Sequence, residues 1–141
     1  MSAMRTSFFE QAPITARAVA TRLRLESLMR DTSLPELLRT LSSDAVDAKP
    51  LAVVEEALFT SQRIVGRFRR VPDTCLYRSL ARYAVLRRAG HEVRFMMALD
   101  PKSAGLVGHA WLELDGVPLG EQVDPDLAVT FSYPSSESAT S

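Results

Sequence analysis

The hydrophobic period of the chain switches once, at Gly90. Before that glycine, apolar residues recur three to four positions apart, the spacing of a helix face. After it, Val93, Phe95, Met97 and Leu99 alternate with Glu92, Arg94, Met96 and Ala98, the spacing of a strand. A segment patterned for one period cannot bury its apolar side in the other, because side chains point in different directions in helices and strands. The order is therefore helices first and sheet second. That limits the chain to an α+β fold, with N-terminal helices packed on a small antiparallel sheet.

Four helices are expected. Pro13 to Asp31 carries a loose apolar side of Ile14, Val19, Leu23 and Leu28, while Arg17, Arg22, Arg24 and Arg30 make a basic side expected to face water. In "SLPELLRTLSS", Ser33 and Glu36 form a capping box and Pro35 suits a first turn. Its leucines, Leu34, Leu37, Leu38 and Leu41, fall on one stripe. Ser42 to Pro50 reads as a loop. A third helix spans roughly Leu51 to Phe68, with Val54, Leu58, Ser61, Val65 and Phe68 near one face and Pro72 as a stop. The fourth starts inside "VPDTCLYRSL", where Asp73 or Thr74 can cap the first amides. Leu76, Leu80, Tyr83 and Ala84 form its apolar stripe, and Gly90 occupies the C-terminal cap position.

About three strands follow: the one from Val93, then "HAWLEL", then "VPLGEQV" returning after the hairpin signal "DG". The tail after Pro134 is polar and small-residue, and is expected to be disordered. The expected division is a helical segment over 1–48, a core over 49–134 and a tail over 135–141.

Composition removes several functional classes. Seventeen basic and seventeen acidic residues cancel, which argues against nucleic acid or an acidic membrane surface as partner. No apolar run approaches the ~20 residues of a membrane span, and the N-terminus lacks a secretory apolar core. The single cysteine, Cys75, excludes an internal disulfide and a thiolate-rich zinc site, and suits a reducing, cytoplasmic setting. One cysteine and two distant histidines lack metal-ligand spacing, and no glycine-rich phosphate loop occurs. No cofactor is expected.

What remains is the chemistry of one thiol. Cys75 falls in the first turn of the fourth helix, where the dipole favours a thiolate nucleophile. A base must come from a histidine. His91 lies at the other end of the same helix, ~24 Å away along the axis, and reads as an exposed turn residue. His109 begins a strand and shares a face with Trp111 and Glu113, so a strand laid against the helix start can carry its imidazole to the thiol.

The segments "DTCLYRSLARYAVLRRAGHEVRFMMAL" and "GHAWLELDGVPL" resemble the transglutaminase-like cysteine proteases. More narrowly, they resemble the B2-type leader peptidases of lasso-peptide biosynthesis. Cys75, Leu76, Arg78 and Leu80 match the family's nucleophile motif, with Ser79 where alanine is common. His109, Ala110, Trp111 and Glu113 match its histidine motif, and Gly116 its turn. The resemblance spans about Pro50 to Pro134.

The resemblance implies a peptidase with a Cys-His-acid triad and a thioester intermediate, with Cys75 as nucleophile and His109 as base. The family's aspartate position falls on Glu121. A two-residue "DG" turn would put Gln122 opposite His109, whereas a three-residue loop with a bulge puts Glu121 there. Asp124, in "VDPD", is the other acid in reach. The ranking is Glu121, Asp124, Gln122. Arg78 is placed to hold a substrate carbonyl or to pin the preceding loop, and Trp111 to wall the core or the substrate pocket. Implied partners are a precursor peptide with its leader, a small leader-recognition protein acting in trans, and an ATP-dependent lasso macrolactam synthetase. The N-terminal helices are expected to dock on the recognition protein. Two other readings stay open: another transglutaminase-like hydrolase or acyl transferase, and an inactive adaptor of the same fold.

Overall fold

A computed structural model describes residues 2–42, 48–68, 74–101 and 108–134, with side chains from Phe9 onward. Within them the chain runs α1 (Ser2–Asp31), α2 (Leu34–Leu41), α3 (Leu51–Val65), α4 (Cys75–Arg88), β1 (Arg94–Leu99), β2 (Gly108–Leu114), β3 (Val117–Pro118) and β4 (Ala128–Tyr133). This is the expected α+β order. The candidate cap Asp73, the stop Pro72 and the tail 135–141 lie outside the described residues.

Helix α1 begins eleven residues before the expected start, because Pro13 does not break it. The proline is exposed and costs the helix its own amide donor, while the ladder continues on either side. The buried face is Ile14, Ala18, Arg22 and Leu25; of the expected stripe Ile14 is buried and Leu28 packs on the core, but Leu23 is 56% exposed. Arg22 thus leaves the predicted solvent face. Its Nη1 donates to Gln62 Oε1 of α3 at 2.6 Å, which lets a guanidinium occupy an inward position.

Ser33 caps α2 by accepting from Glu36 N, and Leu37 and Leu38 are buried as the stripe predicts. Ser42 closes α2 and hydrogen-bonds the buried Tyr83 hydroxyl of α4. Helix α3 stops at Val65, three residues short of expectation, with Gly66 as its cap; Phe68 is left exposed.

Helix α4 is the centre of the molecule, touching α1, α2 and α3 on one side and β1 and β2 on the other. Covered by helices on one side and by the sheet on another, it buries Ser79, Leu80, Ala81, Tyr83, Val85 and Leu86 instead of a single stripe. Thr74 caps its start: its side chain accepts from Tyr77 N at 3.3 Å. At its end the His91 amide bonds Leu86 O and the Gly90 amide bonds Arg87 O, a Schellman closure with Gly90 at φ 94°. His91 is not an exposed turn residue. It is half-buried and its Nε2 meets Lys49 O at 2.7 Å, tying the start of α3 to the end of α4.

The sheet has the order β3-β2-β1-β4 and is antiparallel throughout. Two strand expectations change. The return strand shrinks to Val117–Pro118, and β4 adds a strand on the far side of β1. In the β1/β2 ladder Met97 faces Ala110 and Phe95 faces Leu112, and the core against the helices takes in all four. Met96, Ala98 and Trp111 form a second cluster with Val123 and Leu127, covered by the segment between β3 and β4. Among the described residues no helix is long and apolar enough to cross a membrane.

Candidate active site

Cys75 is the first residue of α4. The Thr74 cap and the Thr74 carbonyl, which accepts from Arg78 N at 3.0 Å, hold the chain in helical geometry from that point. Free helix amides and the dipole therefore converge near the thiol. Cys75 is half-buried against the main core, on the helix that packs on β2.

His109 is the second residue of β2, paired with Ala98 of β1. Its Nε2 lies 2.6 Å from Glu121 Oε1, with side-chain exposures of 35% and 34%. A carboxylate only accepts, so the ring hydrogen sits on Nε2 and the lone pair on Nδ1. Glu121 thereby sets which nitrogen can take a proton. The His109 ring also stacks on Trp111, centroids 5.6 Å apart at 20°. Trp111 is buried and donates from Nε1 to Glu113 Oε2 at 3.3 Å, so Glu113 pairs with the indole.

The route by which Glu121 reaches His109 differs from both expected registers. Asp115 and Gly116, at φ 54° and 81°, make a two-residue turn that pairs Leu114 with Val117. The ladder continues to a Leu119 N to Leu112 O bond of 2.9 Å. That register would place Gln122 opposite His109. At Gly120, φ 74°, the backbone turns out of the ladder, and Glu121 swings to the imidazole. Gln122 is exposed, and Asp124 is occupied locally, its carboxylate accepting from Asp126 N at 2.9 Å.

Arg82 was not singled out by sequence. It lies two helical turns beyond Cys75, and its Nη2 donates to Leu119 O at 3.4 Å while standing 4.0 Å from Glu55. A Cβ on Gly120 would come within 3.3 Å of that nitrogen. Burial lowers the Arg82 pKa, and Glu55 and then Glu121 pull it back up. The helix that carries Cys75 thus also braces the turn that delivers Glu121. No local motif signals this, since the contact joins residues 37 positions apart.

The structure joins His109 to Glu121 and to Trp111. Among the described residues the hydrogen-bond partner of the His109 ring is Glu121, not Cys75. Strand alternation puts His109 on the face opposite Ala110 and Leu112. The imidazole stands where β2 has run past the two residues paired with β3, and Glu121 borders it instead. Arg78 is exposed and lines a cavity beside α4. Among the described residues no group of three or more His, Cys, Asp or Glu converges as a metal site would require.

The structure thus presents a helix-borne thiol at a capped N-terminus and, on the sheet that helix packs against, a histidine held by a carboxylate. A family model described as the transglutaminase-like superfamily matches residues 15–132, from α1 to β4. The chain belongs to that superfamily, which includes cysteine peptidases. No curated protein and no solved structure matches it significantly.

Proposed function

We propose that the chain is a cysteine peptidase that removes the leader from a lasso-peptide precursor. The observation that carries this reading is the hydrogen bond from Glu121 to His109, which holds the imidazole as the base of a Cys-His-acid triad is held. The "CLYRSL" and "GHAWLELDG" motifs narrow it from the superfamily to leader removal.

In this mechanism the Cys75 thiolate attacks the scissile carbonyl carbon. The backbone N–H of Cys75 is the candidate donor to the developing oxyanion. His109, having taken the thiol proton at Nδ1, returns it to the leaving amine as the C–N bond breaks, leaving the leader as a thioester on Sγ. Water, deprotonated by the same nitrogen, then attacks the thioester. The C–S bond breaks, the leader departs as a carboxylic acid and the thiol is restored. Glu121 keeps the ring hydrogen on Nε2 throughout.

A small leader-recognition protein presents the precursor, and an ATP-dependent macrolactam synthetase consumes the freed core peptide. The N-terminal helices dock on the recognition protein; the exposed Leu23 of α1, beside a groove that includes Val19, supports this. Incubating the chain with precursor, recognition protein and a primary amine, read by mass spectrometry, tests the activity. Hydrolysis at one leader–core junction is expected. Amine adducts in place of hydrolysis would make it an acyl transferase, and an unchanged precursor would remove the enzymatic reading.

A further inference from the structure

Beside α4 lies a cavity of about 290 Å³. Among the described residues three arginines line it, Arg22 of α1 and Arg78 and Arg82 of α4, with one acidic residue, Glu55 of α3. Leu58 contributes an apolar wall and Gly120 the rim on the sheet side. The neighbouring Glu121 is hydrogen-bonded to His109, and its charge also acts on Arg82. The three arginines stand at graded depth: Arg78 is exposed, Arg82 half-buried and Arg22 buried. Arg22 is held in place by Gln62 and Arg82 by Leu119 O, so their positions are built into the fold rather than left to flexible surface chains.

The cavity also has a fixed relation to the thiol. Cys75, Arg78 and Arg82 fall at i, i+3 and i+7 on one face of α4. Arg78 is therefore about 4.5 Å and Arg82 about 10.5 Å beyond Cys75 along the helix axis. An extended peptide advances ~3.4 Å per residue, so a chain lying over Cys75 brings a side chain to these arginines within about three residues of its reacting carbonyl.

We propose that this cavity is a specificity subsite for the side-chain carboxylate of an acidic residue, close to the scissile bond of the peptide substrate. The proposal rests on the peptidase reading and deepens it. Guanidinium groups match carboxylates in geometry as well as charge, and partial burial strengthens the pairing. The apolar wall suits the methylene groups of a glutamate better than a phosphate or a bare inorganic anion.

The test uses the full chain with Cys75→Ala, so that binding is read without turnover. Two C-terminally amidated peptides, neutral except for one glutamate or its glutamine replacement, are titrated by fluorescence anisotropy. The glutamate peptide should bind ~10-fold more tightly at low salt, and the ratio should shrink as salt rises. Adding Arg78→Gln should bring the two affinities together, while Arg78→Lys should keep part of the preference. Equal affinities in the parent chain would overturn the subsite. So would a ratio untouched by Arg78→Gln. A charge preference in binding, with the precursor left uncut by the wild-type chain together with its recognition protein, would keep the subsite and remove the peptidase reading.

Discussion

Replacing Glu121 by alanine removes a bond that acts only on the base. The His109 Nε2 to Glu121 Oε1 distance is 2.6 Å, short for a charge-assisted hydrogen bond. Such bonds contribute about 1.5–3 kcal/mol. Both side chains are about a third exposed, so water can partly replace the carboxylate, and the low end applies. A loss of about 1.5 kcal/mol corresponds to ~10-fold in rate, and added freedom of the ring extends the range to ~100-fold. That is well short of the ~10⁴-fold penalty seen where a fully buried acid fixes a catalytic histidine. Steady-state cleavage of the precursor should show the loss in kcat with KM little changed, because Glu121 touches the base and not the peptide. Glu121→Gln should recover part of the rate, since its amide oxygen still accepts from Nε2. Asp124→Ala should be near wild type. If Glu121→Ala stayed within ~2-fold of wild type, or if Asp124→Ala fell further, the assignment of the third group would be wrong.

Other consequences concern the scaffold. Thr74→Ala removes the cap over Cys75 and should cost about 1 kcal/mol, seen as a fall of roughly 3–5 °C in Tm. Gly90→Ala forces a side chain to φ 94° and should cost about 1–2 kcal/mol in urea unfolding, with no change in m-value. Burial pushes the Tyr83 phenol up, opposed by its bond to Ser42. The folded state then holds its proton where an unfolded tyrosine, titrating near ~10, has lost it. Stability is therefore full below that pH and falls as pH rises through and beyond it. Tyr83→Phe should flatten this alkaline decline in a pH series of denaturant midpoints.

The helix-to-strand switch at Gly90 was legible because period alone separates the two elements, and Gly90 itself closes α4. The faces of α2 and α3 were legible for the same reason. Helix α1 was harder. Its stripe was weakly patterned, and a buried Arg22 satisfied by Gln62 cannot be told from a solvated arginine without knowing what packs opposite. Strand β4 carries an alternation of Val129, Phe131 and Tyr133 against Ala128, Thr130 and Ser132 that the strand criterion would have caught. At the site, the placement of Cys75 followed from the Thr74 cap. The choice between Glu121 and Gln122 did not follow from turn length. It was decided by Gly120 leaving the ladder and by Arg82 bracing that departure, both products of tertiary packing.

In the proposed mechanism His109 activates Cys75. The rate of iodoacetamide alkylation of Cys75 at neutral pH, compared between the wild-type chain and His109→Ala, tests it most directly. Wild type should react at least ~10-fold faster, as expected when an imidazolium stabilises the thiolate. Equal rates in two equally folded proteins would contradict the account.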